Sequence, residues 1–248
     1  MKIEPSKRIA DIVAEAPVSV SVFERFGLDS GRTGDFTLDL ACRDIGVPVE
    51  KLLRSLEEAV ACSAGAPPRE WSEASLTGLM NHIVEKHHGY CREELARLEQ
   101  LLGTVVRKYG ERHAELRRVQ FLFLKMGNDL KQHLLKEEQT LFPMIARMEE
   151  ARSRQAAIPR FPFGTIANPI RMMILEHDTG DKELDEIRKL SSDYQVPPDG
   201  DADYRELLQR LRDFDQDMKQ HVFLENDRLF PRAIALEEGG VARASSHS

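Results

Sequence analysis

Apolar residues recur at spacings of three and four along the C-terminal two-thirds of the chain, as they do in amphipathic helices. Alternation of apolar and polar residues, which would indicate half-buried strands, is absent from this region. Turn-forming stretches such as IPRFPFG and VPPDGD divide the periodic region into four parts. The pattern predicts an all-α fold with four long helices, at about 75–108, 112–150, 166–191 and 202–237.

Shorter periodic runs occupy the first quarter of the chain. Gly27 and Gly46 stand where helices would end, and Pro48 opens the amphipathic run VEKLLRSLEEAV. The later stretch SAGAPPRE has no periodicity and is typical of a linker. We therefore expect a small helical domain at 1–62, a linker at 63–74, a four-helix bundle at 75–238 and a flexible tail at 239–248.

Each predicted bundle helix places a histidine in its apolar seam, and two of the helices add a glutamate four residues later. Residues four apart on a helix are neighbours on one face, so each His–Glu pair can reach one point in the bundle core. Taken alone, a seam histidine is more often a hydrogen-bonded core residue, and one such pair is expected by chance. The polar seam residues are His88, His133, Glu137, His177, His221 and Glu225.

An internal repeat strengthens the functional interpretation of these residues. The segment HLLKEEQTLFP at 133–143 matches HVFLENDRLFP at 221–231 in the same register. His88 precedes the first segment by 45 residues, and His177 precedes the second by 44. Each half of the bundle therefore consists of a helix with one seam histidine followed by a His-x-x-x-Glu helix, which indicates a duplication with a pseudo-twofold relation.

The residue types fit a pair of metal ions. Two buried carboxylates that face each other would repel and take up protons unless cations lay between them. Two divalent ions would remove that penalty, with the glutamates bridging them and four neutral imidazoles completing the ligand set. A nitrogen and oxygen set without thiolate suits iron or manganese, with zinc as an alternative, and the bridged pair in a bundle favours iron. Six protein ligands leave positions open for water, oxygen or nitric oxide.

Composition narrows the class of protein. The net charge of −7 and the 31% of charged residues argue against nucleic acid as the main partner. The N-terminus lacks the apolar stretch of a signal peptide, and no run reaches membrane-spanning length, so we expect a cytoplasmic protein that does not enter the membrane. The three cysteines form no CxxC pair, which fits reduced thiols: Cys42, Cys62 and Cys91.

Four segments, EKHHGYCREEL, KQHLLKEEQTLFPMI, LEHDTGDKELDEI and KQHVFLENDRLFPRAI, resemble the ligand-bearing segments of hemerythrin-like di-iron bundles. Within that group the sequence resembles the RIC family (repair of iron centres, ScdA-type). The resemblance implies two non-haem iron ions, oxo- or hydroxo-bridged when oxidised, with the same six seam residues as ligands and both glutamates as bridges. Oxygen-carrying hemerythrins have a second histidine where Asp181 stands here, so the resemblance favours the RIC-like set of four histidines.

The segment FGLDSGRTGDFTLDLACRDIGVPVEKLLRSL resembles the small domain that precedes the bundle in RIC proteins. One departure concerns a vicinal Cys-Cys pair, whose place is taken by Gly31 and Arg32. Thiol chemistry or metal handover at that pair is therefore excluded in this chain, and Cys42 is expected to be a packing residue.

The resemblance implies repair of iron-sulfur or other iron centres damaged by nitrosative or oxidative stress. Two routes are open: iron donation to damaged iron-sulfur proteins, or an enzymatic reduction of nitric oxide at the di-iron site. An alternative is a sensor or carrier that binds oxygen or nitric oxide without turnover, and a third is a structural bundle in which the seam residues only bond one another.

Further polar residues adjoin the predicted ligands. Cys91 follows His88 by one turn, so it could support the site as a thiol or pack as a small buried hydrophobe. Asp129 and Glu176 could line a channel or orient imidazoles, or they could be solvated or capping residues. The remaining histidines of the bundle are expected to face solvent or pack locally: His82, His87 and His113.

Overall fold

The computed structural model describes residues 3–16, 19–28, 33–65 and 74–245. In these ranges helices are the regular elements, accompanied by two isolated bridges, and the predicted all-α class is confirmed. The chain divides into two compact units, Met1–Ala74 and Ser75–Ser248. Among the described helices, none combines the length and the apolar composition that crossing a membrane requires.

The described residues of the first unit form four helices around a small apolar core that includes Ile9, Phe23 and Leu38. Gly46 has a φ of 69°, and the amide of the next residue donates to the carbonyl of Cys42 at 2.9 Å, a helix-ending arrangement that suits glycine. Gly31 and Arg32, the departure from the RIC pattern, lie outside the described residues. The helices are α1 Ile9–Glu15, α2 Ser19–Arg25, α3 Leu38–Asp44 and α4 Val49–Gly65.

The second unit is built from four long helices, which we call the first to fourth bundle helices. Three of them contain a π-helical segment, in which each turn holds an extra residue. The first comprises Leu76–His82, the π segment Ile83–His88 and Gly89–Tyr109; the second Glu115–Lys136, the π segment Glu137–Leu141 and Phe142–Ser153; the third Ala167–Leu190; the fourth Ala202–Leu224, the π segment Glu225–Leu229 and Phe230–Ser245.

The fourth bundle helix extends past residue 238, where the sequence predicted the bundle to end and a flexible tail to begin. It continues to Ser245. One contact that supports the extension is a hydrogen bond from Arg152 of the second bundle helix to the carbonyl of Gly239, at 3.3 Å. The helix therefore continues seven residues beyond the predicted end of the bundle at residue 238.

Prolines of the repeat explain two of the π segments. Pro143 and Pro231 each lie two residues after a π segment ends, at matching places in the repeat. A proline has no N–H to bond the carbonyl four residues earlier, and in both helices that carbonyl lies inside the π segment. The widened turn places Glu137 and Glu225 at the start of each segment, facing the core.

The first bundle helix packs against the second and the fourth, and the second packs against the third. Matching caps close the two halves at one end of the bundle. Glu149 accepts hydrogen bonds from the amides of Leu76 at 2.6 Å and Thr77 at 2.9 Å, at the start of the first bundle helix. Glu237 accepts from the amide of Ile166 at 3.0 Å, at the start of the third. The two caps follow the seam glutamates at the same interval, so the repeat extends to the helix ends.

Candidate metal centre

The six polar seam residues meet at the centre of the bundle, although they come from all four helices. His88, His221 and both glutamates are completely buried, and His133 and His177 are 4% and 6% exposed. Their ligand atoms form two clusters, within each of which all atoms lie within 4.8 Å of one another. The clusters consist of His88, His221, Glu137 and Glu225, and of His133, His177, Glu137 and Glu225.

In the first cluster the two imidazoles approach through their Nε2 atoms. The Nε2 atoms of His88 and His221 are 3.1 Å apart. His221 Nε2 lies 2.9 Å from Oε1 of Glu225, and His88 Nε2 lies 3.5 Å from Oε2 of Glu137. Two nitrogen lone pairs and two carboxylate oxygens therefore converge on one point.

The second cluster repeats this arrangement in the other half of the bundle. The Nε2 atoms of His133 and His177 are 3.0 Å apart. His133 Nε2 lies 3.4 Å from Oε1 of Glu137, and His177 Nε2 lies 3.2 Å from Oε2 of Glu225. Each glutamate thus turns one oxygen to each cluster, which is the geometry of a carboxylate that bridges two cations.

The carboxylate oxygens lack the hydrogen bonds that burial demands. Both oxygens of Glu137 and Oε2 of Glu225 are buried without a hydrogen-bond partner. A buried carboxylate in that state is costly, because it has lost its hydration and gained nothing in exchange. A cation in each cluster would supply the missing partner, so the residues present fit two metal ions.

The titration of these groups shows how strongly they interact. Burial would raise the pKa of Glu225, but His221, His177 and His88 around it hold that pKa well below its ordinary value. Burial would lower the pKa of His133, but the carboxylates of Glu137, Glu225 and Glu176 together outweigh it and raise the pKa to about 9. Complete burial lowers the pKa of His221. The pKa of each of these groups is thus set by burial and by its charged neighbours in the two clusters.

Comparison with known proteins agrees with this geometry. The family model described as the hemerythrin HHE cation binding domain matches residues 79–233, which span the four bundle helices. The chain belongs to the hemerythrin HHE family. This membership confirms the predicted helical bundle and the predicted resemblance to hemerythrin-like proteins. The description of the family names cation binding.

Relatives of similar length extend the comparison to the N-terminal unit. A probable iron-sulfur cluster repair protein of Haemophilus influenzae is 27% identical over 92% of this chain and 96% of its own. The iron-sulfur cluster repair protein YtfE of Musicola paradisiaca is 30% identical over the same shares. The protein of the same name from Yersinia pestis is 30% identical over 88% of this chain and 92% of its own.

Three of the four imidazoles of this HHE bundle are oriented through Nδ1. His88 Nδ1 lies 2.7 Å from Glu138, His133 Nδ1 lies 2.8 Å from Glu176, and His177 Nδ1 lies 3.0 Å from Asn226. An acceptor at Nδ1 fixes the proton there and leaves the Nε2 lone pair free to bind a metal. Glu138 and Asn226 were missed from the sequence, although each directly follows a glutamate of the repeat.

The other predicted supporting residues behave differently from Glu176. The Cys91 side chain is completely buried and lies 3.5 Å from the sulfur of Met218, and burial raises the pKa of its thiol. It is therefore a protonated packing residue and not a thiolate. Asp129 is exposed and pairs with Lys125 at 3.0 Å. Asp129 also lines a cavity, which agrees with the alternative that it lines a channel.

That cavity leads to the second cluster. It has a volume of about 220 Å³ and is lined by His133 and His177 together with Asp129, Lys136 and Asp181, among others. Lys136 pairs with Glu176 at the same cavity. Asp181, which replaces the second histidine of the oxygen carriers, lines the cavity. The first cluster, with its two histidines at 0% exposure, is more enclosed.

The remaining histidines were expected to face solvent or pack locally. His113 is partly buried and interacts with Asp199 at 2.9 Å. His82 contacts the ring of His87. His87 is buried at 6% exposure, and its ring stacks on that of His221 at 5.6 Å. Its contact with a predicted ligand was not foreseen.

Proposed function

We propose that the two clusters hold two iron ions bridged by Glu137 and Glu225. The observation that carries this proposal is that buried carboxylate oxygens of the two glutamates have no hydrogen-bond partner, while each glutamate turns one oxygen to each cluster. A donor set of imidazole and carboxylate without thiolate, inside a four-helix bundle, suits iron. Bound iron would supply a redox-active centre with positions open to a small diatomic molecule.

The residues of this chain would hold and orient that centre. Glu138, Glu176 and Asn226 accept from the Nδ1 atoms and keep the Nε2 atoms aimed at the metal positions. The closely packed bundle excludes bulk water from the first cluster. The cavity beside His133 and His177 gives the second cluster a route to solvent.

The function that we assign is repair of iron-sulfur centres damaged by nitrosative or oxidative stress. The names of the relatives support this assignment, since they match this chain over nearly its whole length. Iron donation is the favoured route, because the metal position on the cavity side could release an ion to an acceptor protein. The cavity also admits a diatomic molecule, which supports nitric oxide reduction as the second candidate.

An iron-transfer assay tests the favoured route. Ferrous protein is mixed with an apo-ferredoxin and sulfide in the presence of a competing chelator, and cluster formation is followed by absorbance. We expect the wild type to accelerate cluster formation beyond an equal amount of free ferrous ion. A Glu150→Ala, Glu238→Ala variant, which changes two exposed glutamates of the same two helices, should transfer iron as the wild type does.

Absence of acceleration would refute iron donation. Gas analysis of the reduced protein under nitric oxide, with an electron donor present, addresses the second candidate. Catalytic nitrous oxide would establish reduction and exclude a pure carrier, whereas reversible binding without nitrous oxide would favour the sensor or carrier.

A further inference from the structure

One of the four candidate ligand histidines differs from the others at Nδ1. The Nδ1 atom of His221 is buried and has no hydrogen-bond partner, whereas the other three each meet an oxygen acceptor. An N–H left in that state inside a protein is costly, and an imidazole without an acceptor is poorly held. His221 therefore needs an acceptor from among the side chains around it.

A second unpartnered atom lies one turn earlier on the fourth bundle helix. Oδ2 of Asp217 is buried without a hydrogen-bond partner, although the side chain as a whole is 21% exposed. Asp217 precedes His221 by four residues. Side chains in a helix lean towards its N-terminus, so His221 leans over the turn that carries Asp217. An unused donor and an unused acceptor thus lie one turn apart on one face of the helix, and in this structure no hydrogen bond joins them.

His87 contacts both residues from the first bundle helix. Its Nδ1 lies 2.9 Å from Oδ1 of Asp217. Its ring lies parallel to the ring of His221, at 5.6 Å and an angle of 9°. One side chain therefore holds the other oxygen of Asp217 and packs against the imidazole that lacks an acceptor.

We propose that Asp217 is a positioning residue of the metal site: when Nε2 of His221 holds a metal, Oδ2 of Asp217 would accept the hydrogen bond of the His221 Nδ1–H, while His87 holds Oδ1. This inference rests on the proposed metal-binding function. The repeat shows why the two halves differ. The residue before the lone seam histidine is Glu176 in one half, where it orients His133, and His87 in the other. The carboxylate that serves His221 then comes from its own helix.

The proposal makes the two metal positions unequal. The first cluster would have a carboxylate behind each imidazole: Glu138, which contacts His88 in the structure, and Asp217, which the proposal assigns to His221. The second cluster has the carboxylate of Glu176 behind one imidazole and the amide of Asn226 behind the other. A carboxylate at Nδ1 makes the imidazole a stronger ligand than an amide does. The first cluster is therefore the one that retains its metal.

The test is the rate at which each equivalent of ferrous ion is lost to a chelator from the anaerobically loaded full chain. An Asp217→Asn variant keeps the shape of the side chain and removes its charge. We expect it to accelerate the loss of one equivalent about 10- to 100-fold and to leave the other unchanged. Asp213→Asn, an exposed aspartate one turn earlier on the same helix, is the matched control and should not alter either rate.

Two further variants keep the test decisive. Glu176→Gln should accelerate the other equivalent, and the double variant with Asp217→Asn should accelerate both. His87→Phe keeps a ring against His221 but removes the donor to Asp217, so it should act on the same equivalent as Asp217→Asn. Thermal unfolding of the metal-free proteins shows whether each variant folds like the wild type.

The possible results separate this proposal from the proposed function. Loss rates of Asp217→Asn and His87→Phe within twofold of the wild type would overturn the positioning role while leaving the metal site in place. Equal acceleration of both equivalents would also overturn it, because a specific role affects one position. A wild type that binds no iron would refute the proposed function, and the positioning role with it.

Discussion

Replacing Glu137 with glutamine should reduce the stabilisation that metal provides without destabilising the metal-free protein. The side chain is completely buried, and neither carboxylate oxygen has a hydrogen-bond partner. Glutamine keeps the shape and removes the charge. In the metal-free protein the variant should therefore be at least as stable as the wild type, because a neutral amide costs less to bury than a charged carboxylate.

Added metal should stabilise the variant less than it stabilises the wild type. A ligand present at 100 times its dissociation constant stabilises the folded state by about 2.7 kcal/mol. A tenfold loss of affinity in the variant would remove about 1.4 kcal/mol of that gain. For a unit of this size each kcal/mol corresponds to a change of roughly 2–4 °C in the unfolding temperature. The effect of adding metal should thus be several degrees larger in the wild type.

The assay is thermal unfolding followed by circular dichroism, with and without ferrous ion under anaerobic conditions. Glu150→Gln, an exposed position on the same helix, serves as the control and should change neither curve by more than a degree or two. A Glu137→Gln variant that is destabilised equally with and without metal would refute the reasoning. Glu137 would then be a structural residue of the core.

Three other predictions concern the pH dependence, the caps and the buried thiol. The raised pKa of His133, about 9, means that its proton is bound below that pH and must leave when a metal binds. Affinity measured by calorimetry should therefore rise about tenfold per pH unit from 7 towards 9; a flat profile would contradict this. Glu149→Gln should lower the free energy of unfolding by about 1–3 kcal/mol in denaturant titrations, because the amides at the start of the first bundle helix lose their charged acceptor. An unchanged free energy of unfolding would count against the capping role. Cys91 should resist alkylation in the folded protein at pH 8, since burial raises the pKa of its thiol; rapid labelling of its peptide in mass spectrometry would disprove that.

Periodicity alone predicted the four bundle helices to within a few residues at most ends, because each helix buries one continuous apolar seam. It also selected the six residues that converge at the centre, since a His and a Glu four apart interrupt that seam in both halves. The predicted end of the fourth bundle helix falls short of the observed end. A hydrogen bond from Arg152, which is distant in sequence, supports the additional residues. Long-range contacts of this kind leave no local signal.

The π-helical segments and the partners of the imidazoles were not predictable from spacing. The repeat carries a proline at matching places in its two halves. A widened turn can be predicted before each proline only if the helix is already known to continue through it. Asn226 could have been found by asking which residue follows each seam glutamate. His87 could not, because its partner Asp217 lies 130 positions away on another helix.

Metal content of the anaerobically purified protein tests the central claim most directly. The measurement is inductively coupled plasma mass spectrometry on the wild type and on a Glu137→Ala, Glu225→Ala variant, with Glu150→Ala, Glu238→Ala as the matched control. We expect about two irons per chain in the wild type and the control, and most of this iron to be absent from the first variant. Little iron in the wild type, or iron that survives the loss of both bridging glutamates, would contradict the account.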